Sequence, residues 1–273
     1  MSGSTASEKR KAFKQLHRSG TFVIPNPWDV GSARALASMG FKALATSSAG
    51  YAWSSGRPDG GISRSDMLAH MRSMVEAVNL PVNADFESGF ADSLDQLEKS
   101  VEMAIETGVA GLSLEDSTGT PGSPLMSVDD AAARIAAARS AIDRLGGDTL
   151  LVGRAENFFI GVPDLDDAIA RLRAYSEAGA DCLYAPGIKT LEEIRTVVAA
   201  VAPKPVNVLI GWDSELTVKD LAELGVRRIS VGGALARAAW GGFLQAARAI
   251  SEEGRFDFGT GTPAGADLNG LLK

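Results

Sequence analysis

The sequence predicts an α/β fold, a (β/α)8 barrel of the TIM type, on three observations. Short β-rich apolar runs alternate with longer stretches of helical periodicity along most of the chain. A repeated unit of helix, glycine and strand stands at Met39-Gly40-Phe41, Thr107-Gly108-Val109, Ala178-Gly179-Ala180 and Leu224-Gly225-Val226. The 273 residues suit one such domain, since α/β barrels commonly take about 250 residues.

Eight strands are expected, at Phe22-Pro25, Lys42-Ser47, Val82-Asp85, Gly111-Glu115, Leu150-Ala155, Cys182-Ala185, Val206-Leu209 and Arg228-Val231. Most intervals leave room for one helix, as parallel strands require. Helix starts are marked by Ser65-Asp66 before Met67-Val78, by Ser93 with Gln96 before Leu94-Thr107, and by Thr190 with Glu192 and Glu193 before Ile194-Ala200. Gly40, Gly108, Gly179 and Gly225 close helices where a left-handed residue is needed. Gly50-Gly61 and Ser117-Val128, rich in Gly, Ser, Thr and Pro, read as long loops of the kind that form lids. Residues 1–255 form the barrel domain in this reading. The glycine-rich tail 256–273 stays outside it, as a flexible end or an arm toward a neighbouring subunit.

Composition removes several classes of function. The chain is 45% hydrophobic and 22% charged and has no apolar run approaching the roughly 18 residues of a membrane span. Met1-Gly20 lacks the apolar core of a secretory signal, and Cys182 has no second cysteine to pair with, so a cytoplasmic location is expected. A net charge of −7 without a basic cluster argues against nucleic acid as a partner. His17 and His70 are the only histidines and read as helix-surface residues, so a histidine zinc site or a Ser-His-Asp triad is hard to assemble.

Ionisable side chains collect where the apolar strands run out, which in a barrel is the catalytic end. Asp85 and Glu87 are two apart and in extended backbone would face the same side, and Glu115 would approach from the next strand. Three oxygen donors without Cys or His suit a hard cation, Mg²⁺ first and Mn²⁺ as the alternative. An acid after a strand commonly only caps a helix or solvates a loop; that reading is preferred for Asp116, the metal reading for Asp85, Glu87 and Glu115 together. Arg154, ending strand five, can grip a carboxylate or an enolate oxygen at two points, or pair with Glu156 or Glu115. Ser47, Ser48 and Ala49 can cradle an anion through N–H groups and hydroxyls, or simply form a turn. Asn207 can bond a substrate carboxylate or be a satisfied buried amide. Asp59 has a plain turn reading, as does Ser230-Val231-Gly232-Gly233 beside a phosphate-cradle one.

Taken in order, Pro25-Asn26-Pro27-Trp28-Asp29, Thr46-Ser47-Ser48-Ala49, Gly56-Arg57-Pro58-Asp59, Asp85-Phe86-Glu87-Ser88-Gly89-Phe90, Ser113-Leu114-Glu115-Asp116 and Arg154-Ala155-Glu156 resemble the isocitrate lyase/phosphoenolpyruvate mutase superfamily over nearly the whole barrel. The resemblance implies a barrel whose eighth helix is exchanged between subunits of a dimer or tetramer, and a Mg²⁺ site for 2-oxo acids. It implies that Asp85 is the direct metal ligand, held with Glu87 and Glu115, often through water. Asp59 is then the catalytic acid near the metal. Ser47, Ser48 and Ala49 bind the substrate carboxylate, and Arg154 contacts substrate.

Departures narrow the activity. Isocitrate and methylisocitrate lyases carry a K-K-C-G-H run after strand four, where this chain has Thr118-Gly119-Thr120-Pro121-Gly122-Ser123, and the Lys and Asn of the phosphonate enzymes' lid are missing from Ser117-Val128. The expected activity is Mg²⁺-dependent carbon–carbon cleavage or decarboxylation of a small 2-oxo acid, oxaloacetate- or methylisocitrate-like, through a metal-stabilised pyruvate enolate. The alternatives are carbon–phosphorus mutase or hydrolase action on phosphonopyruvate, and a barrel that binds 2-oxo acids without turnover.

Overall fold

The computed structural model describes residues 3–120 and 122–272. Eight parallel strands alternate with helices around one sheet, in the order β1-β8-β7-β6-β5-β4-β3-β2. They are β1 (Phe22–Ile24), β2 (Leu44–Ala45), β3 (Val82–Asp85), β4 (Gly111–Glu115), β5 (Leu150–Arg154), β6 (Cys182–Tyr184), β7 (Val206–Leu209) and β8 (Arg228–Ser230). The seam between β1 and β2 is bridged by Ala45 N–H donating to Pro25 O at 3.1 Å, so the sheet is a nearly closed (β/α)8 barrel, as expected.

The helices are α1 (Ala6–Leu16), α2 (Val30–Ser38), α3 (Ser48–Ser54), α4 (Arg64–Ala77), α5 (Leu94–Glu106), α6 (Val128–Arg144), α7 (Leu165–Glu177), α8 (Leu191–Val201), α9 (Val218–Glu223), α10 (Ala234–Glu253) and α11 (Gly265–Leu271). Ser93 and Thr190 cap α5 and α8 by accepting from Gln96 N and Glu193 N, as read from sequence. Helix α4 starts earlier than expected. Its cap is Ser63, whose hydroxyl accepts from Asp66 N, and Ser65 and Asp66 already lie in the first turn. Gly40, Gly108, Gly179 and Gly225 all have positive φ, so the repeated glycine is a conformational requirement of the helix ends.

Other expectations need correction. The first part of the Gly50-Gly61 loop is helix α3, because Ser47 caps it through Gly50 N. Helix α1 plugs the amino-terminal end of the barrel. Phe13 is fully buried, and its ring fills the space that a side chain at Gly111 would occupy. His17 caps this helix between the rings of Phe13 and Phe22, and His70 stacks on Tyr51 with ring centroids 3.8 Å apart. Both histidines are therefore buried, not on helix surfaces. Cys182 is fully buried in β6.

Loop 117–128 makes a short antiparallel bridge between Ser117 and Leu125; its Pro121 lies outside the described residues. In the 256–273 tail, whose Lys273 is likewise outside them, α11 forms and lies against α2. Helix α10 carries Trp240, Phe243, Leu244 and Ile250 on exposed positions. Among the described residues no helix is long and apolar enough to cross a membrane.

Candidate active site

Strand register assembles the site. Glu115 on β4 pairs with Arg154 on β5, and Arg154 pairs with Tyr184 on β6. Arg154 is the hub. Its Nη1 lies 3.2 Å from Asp85 Oδ1 and 3.2 Å from Glu115 Oε2, its Nε donates to Glu156 Oε1, and the rings of Tyr184 and Phe159 flank the guanidinium at 5.3 and 5.8 Å. A planar fork of donors holds several carboxylates in a fixed geometry, where an ammonium is a rotatable point charge.

Glu87 reaches this cluster by a different route from the one its spacing implied. Strand β3 ends at Asp85, and Glu87 sits in a turn with φ of 48°, a left-handed conformation uncommon for a non-glycine residue. Its backbone carbonyl accepts from Glu115 N at 3.0 Å, which fixes it beside β4. Its Oε1 is buried without a hydrogen-bond partner. Burial, then the Asp85 and Asp59 carboxylates, push the Glu87 carboxyl up to about 7. Burial likewise raises Glu115, against the pull of Arg154 and with the push of Glu156, Asp85 and Glu87. Asp59 lines the cavity from the loop after α3, and partial burial together with Asp85 raises its carboxyl.

The Ser47-Ser48-Ala49 segment also lines the cavity, but it is not an empty anion cradle. Ser48 gives both its backbone N–H and its hydroxyl to Asp85 Oδ2, at 3.0 and 2.8 Å, while Ser47 Oγ caps α3. Asp85 is thereby held from two sides, by Ser48 on one oxygen and Arg154 on the other. Asn207 takes the satisfied-amide reading: it is fully buried, donates to Ser230 Oγ and accepts from Arg228 Nε.

Sequence reasoning offered Glu156 as an ion-pair partner of Arg154, which the structure bears out, and missed other contributors. Glu156, 3% exposed, is a third acid on Arg154. Asp116 is a buried anchor and neither caps a helix nor solvates a loop: Oδ1 accepts from Glu156 N, and Oδ2 from Arg171 Nη1 and Tyr175 Oη. Asn26 ties the rim together, with Oδ1 accepting from Val231 N and Gly232 N and Nδ2 donating to Thr46 O. A polar side chain between two prolines at a strand end was the available signal. The barrel interior also holds a charge, since the buried Arg228 donates to Asn207 and Asn83 there.

The acids suit a hard cation by their chemistry. Asp59, Asp85, Glu87, Glu115 and Glu156 lie around one guanidinium, and Glu87 Oε1 is an orphaned oxygen donor, so the cluster holds more carboxyl groups than Arg154 can partner. Yet among the described residues no three His, Cys, Asp or Glu side chains are grouped closely enough to hold a metal ion. Arg154 occupies the position between Asp85 and Glu115, and a cation would compete with it for those oxygens.

A carboxylate-rich cluster at the carboxyl ends of the strands of a (β/α)8 barrel, opening into a cavity of about 370 Å³, defines the class: a barrel with the layout of a small-molecule enzyme. The chain belongs to the phosphoenolpyruvate phosphomutase family, whose sequence profile matches residues 13–251, and so to the isocitrate lyase/phosphoenolpyruvate mutase superfamily. It is similar to a Burkholderia cenocepacia J2315 protein named only as a candidate lyase/mutase, with 48% identity, TM-score 0.94 and coverage of 98% of this chain and 97% of that one. It is 30% identical to an oxaloacetate decarboxylase of Bradyrhizobium sp. (strain ORS 278) over 232 residues, 82% of this chain and 77% of the relative. A phosphonopyruvate hydrolase solved with oxalate and Mg²⁺ is 26% identical with TM-score 0.84, covering 96% of this chain and 94% of that one.

Proposed function

We propose that this protein is a Mg²⁺-dependent enzyme that cleaves a carbon–carbon bond of a small 2-oxo acid, by lysis or decarboxylation, through an enolate. The observation that carries the reading is the surplus of carboxylates around Arg154, with Glu87 Oε1 buried and unpartnered. The named activity of the decarboxylase relative, and the oxalate and Mg²⁺ bound by the phosphonopyruvate hydrolase, support it.

Asp85 would hold the cation directly, with Glu87 and Glu115 assisting, Mn²⁺ being an alternative occupant. When bound, the cation supplies Lewis-acid stabilisation of the negative charge that develops on the substrate. The chain's own residues do the rest. Ser48 and Arg154 fix the Asp85 carboxylate. Arg154, held between aromatic rings, places positive charge where an enolate oxygen forms, and it is already oriented before the reaction. Ser47 and Ala49 contact the substrate carboxylate from the cavity wall. Asp59, its carboxyl raised, exchanges a proton with the substrate.

Carbon dioxide release from oxaloacetate, or pyruvate release from a longer 2-oxo acid, in the presence of Mg²⁺ is the expected result; phosphate release from phosphonopyruvate alone would favour the carbon–phosphorus reading. Binding of these acids without any turnover would leave a binding barrel. The exposed aromatic face of α10 supports a homo-oligomer, a dimer or tetramer in which this helix packs on a second copy.

A further inference from the structure

Two guanidinium groups inside the barrel line the cavity, in opposite states. Arg154, at the rim, is shared among Asp85, Glu115 and Glu156. Arg228, on β8, is 2% exposed and has only neutral amides for partners: Nε donates to Asn207 Oδ1 at 2.8 Å and Nη1 to Asn83 Oδ1 at 3.3 Å. Both amides are fixed with their oxygens toward it, because Asn207 Nδ2 donates to Ser230 Oγ and Asn83 Nδ2 to Ala84 O. Nη2 makes no hydrogen bond among the described residues and is not one of the sealed unpartnered atoms, so it opens on the cavity that Arg228 lines.

A guanidinium taken out of water without a counter-charge is costly, and a water molecule beside Nη2 would meet its N–H groups but not its charge. Burial pulls Arg228 below the ordinary arginine value, and Cys182, Tyr184 and Asp85 oppose that only in part. Asp85 is already held by Ser48 and Arg154. The cations at the mouth differ. Arg237 gives one N–H to Gly211 O and Lys189 stands over the Trp212 ring, but both are exposed, so water offsets their charge.

Further donors surround Arg228. Ser230 lies two residues on along β8, on the same face of the strand. Its oxygen accepts from Asn207, which leaves its own proton to be given into the cavity that it lines. Tyr184 is in register with Asn207, which is in register with Arg228, and it lines the same cavity. Burial pushes its phenol up to about 12, against the pull of Arg154, so it remains a donor at neutral pH. One guanidinium balances one negative charge, and its flat fork matches a carboxylate. A doubly charged anion would meet the Asp85 carboxylate toward the rim without a second cation at the floor.

We infer that the floor of the cavity is a second anion site, in which Arg228 with the Ser230 and Tyr184 hydroxyls receives a singly charged carboxylate, apart from the metal and 2-oxo acid position at the rim. The carboxylate is either the far end of the substrate or a free monocarboxylate, and the floor offers both the same chemistry. This goes beyond the 2-oxo acid reading and does not depend on it, since the floor needs neither the cation nor the rim acids.

Binding of ¹³C-labelled formate to the intact protein, followed by carbon NMR line broadening, tests it. Formate is expected to bind the wild type with and without Mg²⁺. Arg228→Gln is expected to weaken that binding by at least about tenfold, and the milder Ser230→Ala by about two- to tenfold. Arg237→Gln, at the mouth, is expected to leave it unchanged. With Mg²⁺ present, displacement of formate by 2-oxoglutarate but not by saturating pyruvate assigns the carboxylate to the far end of the substrate; displacement by neither assigns it to a free monocarboxylate. Absence of formate binding to the wild type, unchanged affinity in either folded floor variant, loss in Arg237→Gln, or displacement by pyruvate would overturn the inference. Mg²⁺-dependent pyruvate binding, read by calorimetry on the same samples, reports the 2-oxo acid site separately.

Discussion

Asp85 owes its position to two partners of different kinds, and the balance between them is what a substitution would disturb. Ser48 restrains one oxygen and Arg154 the other, so Asp85→Asn keeps the shape but removes the charge that Arg154 and a cation share. Mg²⁺ affinity is expected to fall by at least about tenfold and kcat/KM by about 10²–10³, read by calorimetry and steady-state assay. Arg154→Lys is expected to lose at least about 10² in kcat/KM with the fold retained, because one ammonium cannot contact Asp85, Glu115 and Glu156 with the same geometry. Asp116 has a different role. Its carboxylate is the buried end point for Arg171, Tyr175 and Glu156 N, so Asp116→Ala leaves Arg171 without its buried partner and is expected to destabilise by about 3–5 kcal/mol in urea unfolding. Sequence showed Asp85, Glu115 and Arg154 because each ends an apolar strand. It offered Glu156 only as an ion-pair partner of Arg154, and it could not show the part of Asp116, since that role comes from contacts to Arg171 and Tyr175 on α7 and to Glu156 N, far apart in sequence.

Elements were legible where local chemistry decides them. Strands Val82–Asp85, Gly111–Glu115 and Val206–Leu209 fall where the apolar runs place them, each a short run whose end is marked by a change of residue type. Ser93 and Thr190 were readable as caps because the acceptor and its N3 partner are adjacent in sequence, and Ser93→Ala is expected to cost about 1 kcal/mol by thermal unfolding. Helix α3 was hidden because Ser, Gly and Ala also compose turns, and its formation depends on the Ser47 cap and on packing of Gly50 against Trp28 and Ala236. The histidines were misplaced for a related reason, since the surfaces that bury them belong to other elements. Burial depresses His17 to about 3 and His70 to about 4, with Arg228 adding to the effect at His17 and Asp29 opposing it at His70. Folded pKa values below the unfolded value of about 6.5 mean that the unfolded chain takes up protons first. Stability is then fully present above about pH 6.5 and falls by about 1.4 kcal/mol per pH unit per histidine as pH drops toward 4, then 3. A double His17→Gln and His70→Gln variant should show a shallower loss over pH 6.5–4 in urea unfolding.

The whole molecule joins a barrel, which the repeated glycine-punctuated units announce, to the long helix α10 and a tail whose α11 lies against α2. Helix α10 exposes Trp240, Phe243 and Leu244, and the exposed Phe256 and Phe258 follow it in the chain; exposed apolar side chains that cluster mark interaction surfaces. Light scattering is expected to report a dimer or tetramer, and Phe243→Glu to shift it toward smaller species. At the same scale, the carboxylate surplus at the strand ends makes one chemical statement under the proposed function, that the head of a 2-oxo acid would be met by the acids and Arg154 through a bound cation. That statement stands on the acids acting together on a cation-stabilised enolate. The direct measurement is exchange of the pyruvate methyl protons in D₂O, followed by proton NMR. The expected result is loss of the methyl signal above the buffer rate, dependent on Mg²⁺ and removed by Asp85→Asn. Methyl protons that persist at the buffer rate under saturating pyruvate and Mg²⁺ would contradict it.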